Sequence, residues 1–171
     1  KKLAAIVPIS NDLLRKASYN VMTIVRNDLI NAIAVREDKA FLYDTGDPAT
    51  TIKGLKKLAT DANRVFASDG SIAADIAKAE KALKDAHIRF VRPGIIMSSR
   101  TENYLKYYYE SLSGTYPYLE EMKNGTIFGY PYAVSYEIPT TIGTDGTELF
   151  FVDFNEVIIG DGEQIYVDIS T

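Results

Sequence analysis

At 171 residues with 46% hydrophobic content, the chain can bury roughly 70% of its unfolded surface, enough for one good core or two small ones without an outside staple. The absence of cysteine excludes disulfides and thiolate sites, and no apolar run reaches the roughly 18 residues of a membrane span. A net charge of -4 and a pI near 5.1 argue against a phosphate-backbone binder, which needs concentrated Lys and Arg.

In chain order, Lys1-Lys2-Leu3 lacks the apolar core of a signal peptide. Leu3, Ala5, Val7 and Ile9 alternate with a period near two, which predicts a strand, with Pro8 placing it at an edge or an end. Ser10 and Asn11 are N-cap residues, Asp12 adds a carboxylate near the first turn, and Ser18 offers a second cap. From Ser18 to Tyr43, Met22, Val25, Leu29, Ile33 and Ala40 recur at helical steps, widened by Ile30 and Phe41, while Arg26, Asp28, Arg36, Glu37 and Lys39 fall largely elsewhere. Such a helix is roughly 35 to 40 Å long. Thr45, Gly46, Asp47 and Pro48 end it. The basic group Lys53, Lys56 and Lys57 reads as a solvated helix end.

Asp69-Gly70-Ser71 then precedes the stripe Ile72, Ile76, Ala79, Leu83 and Ala86, a second amphipathic helix. A short strand is expected at Ile88 to Arg92, before Pro93-Gly94. Ser99 with Glu102 forms a capping-box pattern for a helix carrying Tyr104, Leu105, Tyr108 and Leu112. Thr126 to Ser135 is rich in aromatic and β-branched residues. Glu148 to Ile159 and Gln164 to Ile169 flank Gly160-Asp161-Gly162, a hairpin signal. The expected class is α+β with mostly antiparallel strands.

Residues able to carry chemistry are sparse. Glu37 and Asp38 are neighbours on a helix, pointing about 100° apart, and read as a charged face. His87 is the single histidine, with no nucleophile or second ligand at a recognisable spacing. Tyr104, Tyr107, Tyr108, Tyr109, Tyr116 and Tyr118 can bury their rings while keeping their hydroxyls wet, which suits core packing plus a partner surface; a stacking platform for nucleic acid would need basic neighbours, and only Lys106 is close. Asn124-Gly125-Thr126 reads as a turn. Neither Gly143 to Gly146 nor Gly160 to Gly162 opens a helix with Lys-Ser/Thr, so neither is a phosphate loop. No catalytic residue, metal or cofactor is expected.

The segments LAAIVPISNDLLR and VRNDLINAIAVREDKAFLYDTGDP, followed by Gly54-Leu55, a helix, RFVRPG and a further helix, resemble tailed-phage major capsid proteins of the Hong Kong 97 type. Tyr116-Pro117-Tyr118-Leu119, Asn124 to Pro131, Val134-Ser135, Phe151 to Phe154 and Ile158 to Asp161 continue the family's order. The resemblance implies a long spine helix with a mixed α/β axial domain: residues 1–43 a partial peripheral domain, 44–171 the axial domain without its last strand. It also implies an arm and extended loop before Lys1 and further strands after Thr171. The implied role is structural and non-enzymatic: self-assembly through hexamers and pentamers into an icosahedral shell around DNA, in the virion capsid, with the bacterial host cytoplasm as the place of assembly. Scaffold and portal proteins are implied partners; specific nucleic acid binding and membrane contact are not. In the family, the loop after the spine and the axial tip meet neighbouring subunits, which here gives Tyr43, Gly46, Asp47, Pro48 and Lys53, and Gly114, Tyr116 and Tyr118. Two alternatives stand beside this: an encapsulin-like bacterial compartment shell, and a small α+β enzyme using Asp38, His87 or the tyrosines in a deep pocket with convergent polar groups.

Overall fold

The computed structural model describes residues 3–10, 21–48, 50–59, 67–68, 70–143 and 146–160. The chain divides into two compact units, Lys1–Leu58 with Gly160–Thr171, and Ala59–Ile159.

In the first unit, helix α1 runs over Val21–Tyr43, 23 residues, so about 35 Å. The expected stripe is visible in its accessibility: Met22, Val25, Leu29, Ile33 and Ala40 are half-buried on one face together with Arg36, while Glu37, Asp38 and Lys39 are exposed. Leu42, at the end of the helix, is fully buried. The caps expected at Asn11, Asp12 and Ser18 lie outside the described residues. The strand expected at Leu3 to Ile9 does not form; this segment is irregular and largely exposed, with Ile6 at 92%. Alternation marks residues that could line a sheet, but a strand also needs a neighbour for its N–H and C=O groups. Among the described residues none is present here. A short helix, α2, follows at Leu55–Leu58.

The second unit packs helices on a four-stranded sheet. Helix α3, Ile72–Asp85, follows the expected stripe, burying Ile76 with Ala79 and Leu83 half-buried. Ion pairs Lys81–Asp85 and Lys84–Glu80 lace its outer face at i,i+4 spacing. The strands are β1 at Pro93–Met97, β2 at Thr126–Ile127, β3 at Tyr130–Val134 and β4 at Leu149–Asp153, in the order β2-β3-β1-β4. The sheet is mixed, not mostly antiparallel as expected: β1 pairs in parallel with β3, Ile95 opposite Tyr132, and antiparallel with β4, Ile95 opposite Phe151. The cause is the connection. Between β1 and β3 the chain makes helix α4 at Ser99–Lys106 and helix α5 at Leu119–Lys123, a crossover long enough to bring β3 back in the same direction.

Local corrections follow from hydrogen-bond chemistry. The strand lies at Pro93–Met97 and not at Ile88 to Arg92, because Asp153 Oδ2 accepts from Val91 N (3.0 Å) and its Oδ1 from Arg92 N (2.9 Å). Those N–H groups are then spent outside the ladder, and Pro93, which has none, opens the strand. The cap of α4 is Ser98, one residue earlier than Ser99; its Oγ accepts from Thr101 N at 3.2 Å. Glu102 takes no part in a capping box and accepts instead from the Tyr132 hydroxyl at 3.2 Å. Helix α4 stops at Lys106, leaving Leu112 98% exposed. The aromatic and β-branched stretch Thr126 to Ser135 forms a hairpin: Phe128 and Gly129 have φ of 52° and 78°, the left-handed pair that a tight two-residue turn demands. Gln164 to Ile169 and the turn at Asp161-Gly162 lie outside the described residues.

One apolar cluster forms the core of this unit: Ile76 from α3, Ile95 and Met97 from β1, Leu105 from α4, Met122 from α5 and Ile127 from β2. Tyr118, Tyr130, Tyr132 and Phe151 close over it.

Candidate functional site

The loop after α1 is held from both ends. Arg36, one turn and more before the helix end, grips Asp44 with Nη2 at 3.0 and 3.1 Å from the two carboxylate oxygens. Gly54 N donates to Asp44 O at 2.8 Å, and Thr45 bridges Lys53 across the loop. Inside this frame Asp47 is the organiser: its N donates to Thr51 Oγ1 (2.8 Å), its C=O accepts from Thr51 N (3.2 Å), and its carboxylate accepts from Thr50 Oγ1 (3.1 Å). Gly46 takes φ of 77°, Pro48 is exposed, and the Lys56 ammonium lies 5.5 Å from the centre of the Tyr43 ring. Five of the residues expected at a contact surface thus lie together, Tyr43 at the end of α1 and Gly46, Asp47, Pro48 and Lys53 in the loop that follows.

Gly54 fixes how close this loop lies to the helix. A Cβ there would stand 2.7 Å from Tyr43 N and 2.8 Å from Leu42 C, backbone atoms that cannot swing away. Gly54→Ala is expected to cost about 1 to 3 kcal/mol and to loosen the loop, read as faster hydrogen exchange at Gly54 and Thr51. Unchanged exchange would show that the loop tolerates the added carbon.

In the second unit, the segment after α4 is closed by a bridge between Glu110 and Thr115, with Glu110 N donating to Thr115 O at 2.9 Å and Gly114 N to Glu110 O at 2.8 Å. Ser113 Oγ donates to the Glu110 carboxylate at 2.6 Å. Aromatic pairs line the segment: Tyr109 with Tyr116 (5.3 Å between centroids), and Tyr104, Tyr108, Tyr118 and Phe128 in succession at 5.7, 6.2 and 5.4 Å. The outer members are wet and the inner ones are not. Tyr116 is 48% exposed and Tyr109 55%, whereas Tyr118 packs on the core, and burial, with the charges of nearby groups, raises its hydroxyl pKa. Tyr116 and Gly114 are therefore available at the surface, and Tyr118 anchors them.

Two of the residues considered for catalysis stand on exposed surface. Asp38 is exposed on α1 in the first unit, and His87 is exposed in the second, at φ of 58° after α3. An open groove of about 720 Å³ runs over β1 and β3, lined by Pro93, Tyr130, Pro131, Tyr132 and Phe154 with Arg92 among them; neither Asp38 nor His87 lines it. Among the described residues no group of His, Asp and Glu could hold a metal ion, and no helix is long and apolar enough to cross a membrane. Sequence reasoning missed the Arg36–Asp44 clamp and the role of Asp153. The first had a signal: Arg36, expected off the apolar stripe of α1, stands three residues after Ile33 and four before Ala40 and so falls on it, where a cation needs a partner.

Comparison with known proteins places the chain in a family. Residues 1–171 match the Phage capsid family. The chain is 35% identical over 179 residues to the "Major capsid protein" of Klebsiella oxytoca phage phiKO2, covering 99% of this chain and 41% of that protein. It is 36% identical over 47 residues to the "Major capsid protein" of Halomonas phage phiHAP-1, covering 28% of this chain and 8% of that one. The chain thus spans about two fifths of the length of the first of these relatives. With the match running from end to end, the chain belongs to the phage capsid family.

Proposed function

We propose that this chain is a central part of a phage or prophage major capsid protein of the Hong Kong 97 type, whose task is self-association into an icosahedral shell around packaged DNA. The end-to-end family match carries this reading, supported by two relatives named as major capsid proteins. Both are phage proteins, which favours a phage shell over an encapsulin-like compartment. In this reading α1 is the spine, residues 1–43 are peripheral and 44–171 axial, and hydrogen bonds tie the loop from Asp44 to Gly54 to the end of α1. The role is structural and non-catalytic. Scaffold and portal proteins are its further partners, and the host cytoplasm is where assembly takes place. An acidic wall repels the phosphate backbone weakly, which suits loading and release of DNA.

Contact between copies is assigned to the two loops, at Tyr43, Gly46, Asp47, Pro48 and Lys53, and at Gly114 and Tyr116 with Tyr118 behind. Tyrosine offers a large amphipathic ring at little entropic cost, hence its enrichment at interface hot spots. Tyr116→Asp in the complete gene product should lower particle yield at least about tenfold by forcing a charge into a contact, with the melting temperature of the isolated chain unchanged. Particles at the normal yield, or a chain that no longer folds, would remove Tyr116 from the interface.

A further inference from the structure

Two surfaces of the chain complement one another in charge and polarity. The segment from His87 to Arg92 carries His87, Arg89 and Arg92, all exposed. Neither arginine has an ion pair among the described residues; the neighbouring Asp85 and Glu80 are taken by Lys81 and Lys84. His87 and Phe90 both sit at positive φ, 58° and 53°, a conformation that costs free energy in a residue with a Cβ, and Asp153 pins the backbone at Val91 and Arg92. Arg92 stands among the residues lining the apolar groove with Pro93, Pro131 and Phe154. The result is a fixed cationic rim beside an apolar trough.

The complement lies on α1. Opposite its half-buried stripe, Ile24, Asp28, Asn31, Val35 and Asp38 fall at steps of four, three, four and three, which places them on one helical face. All are exposed, with Ile24 at 53% and Val35 at 51%. Asp28 and Asp38 make no ion pair among the described residues. This face joins two carboxylates to two branched apolar side chains on one helix.

The geometry points to a head-to-tail contact in which this outer face of α1 from one copy docks into the groove of a second copy, Val35 and Ile24 toward the apolar trough and Asp28 and Asp38 toward Arg89 and Arg92. The occupant is a second copy of this chain because the two patches match in sign and polarity and the rest of the chain is acidic, so like surfaces repel. Duplex DNA would use the arginines but leave the trough empty. A contact between different patches is heterologous, and repeated by rotation it closes a ring. The inference deepens the shell reading by naming one contact, yet it is testable on the isolated chain.

The test is amide NMR of the isolated chain at about 0.05 and 1 mM in low salt. Concentration-dependent shifts are expected at Val91, Arg92, Gly129 and Tyr132 and along Ile24 to Asp38, weakening as salt screens the charges. R89E/R92E and D28R/D38R should each reduce association at least tenfold with unchanged melting temperatures. The chain with all four reversals should recover to within about threefold of the parent, which no unfolding or nonspecific loss would produce. Shifts that ignore concentration, reversals without effect, or failure of the fourfold variant to recover would overturn the contact. Shifts at Arg89 and Arg92 produced by a duplex oligonucleotide and not by concentration would reassign the rim to DNA. Absence of particles from the complete gene product would sink the shell reading and leave this measurement standing.

Discussion

Ile95→Ala is expected to destabilise the sheet unit by about 2 to 5 kcal/mol, through lost transfer free energy and the cavity left behind. Ile95 is 1% exposed and sits on the central strand between Tyr132 on the parallel side and Phe151 on the antiparallel side. It belongs to one buried apolar cluster with Ile76 of α3, Leu105 of α4 and Met122 of α5. Neighbours on three helices and two strands cannot all collapse onto one hole, so the upper half of the range is expected. Urea unfolding of the isolated chain gives the number. A loss below about 1 kcal/mol with an unchanged slope would mean that the cluster is not the centre of this unit.

Asp153→Asn is expected to cost about 2 to 4 kcal/mol, since hydrogen bonds to a charged group contribute about 1.5 to 3 kcal/mol each and an amide replaces one acceptor by a donor. The native carboxylate accepts from Val91 N, Arg92 N and Asn155 N at 2.9 to 3.0 Å. Burial pushes its pKa up, but backbone N–H groups of Asn155, Arg92, Val91 and Phe90 together outweigh burial and hold it below the ordinary aspartate value. A folded pKa below the unfolded one contributes stability that is present above the unfolded pKa, near 3.9, and is lost as pH falls through the folded value. The parent should therefore lose stability on acidification below about pH 4 more steeply than the Asn variant. Parallel acid profiles for the two proteins would show that Asp153 is not the group responsible.

What the sequence disclosed depended on how local the cause was. Helices α1 and α3 were legible because a 3.6-residue period in apolar side chains is a local record of burial, and the half-buried stripe from Met22 to Ala40 reproduces it. The turns at Gly46 and Pro48 were legible through backbone preferences alone. The start of β1 was not, because it depends on a carboxylate some sixty residues further on taking the N–H groups of Val91 and Arg92. Nor was the parallel pairing of β1 and β3, since strand direction is set by the crossover between strands and not by composition. The tyrosines show the same division: their number was plain, but Tyr118 turned inward and Tyr116 outward by the path of a closed loop that no short pattern specifies. Family membership was readable from the order of weak motifs, because shared ancestry marks the whole chain even where each motif is unspecific.

Electron microscopy of the complete gene product, expressed alone and with its neighbouring genes, tests the central claim most directly. Closed icosahedral particles are expected, with α1 running along the shell wall and the loops at Tyr43 to Lys53 and Ser113 to Tyr118 meeting adjacent copies. A product that stays monomeric under both conditions, or particles in which these segments face solvent, would contradict it.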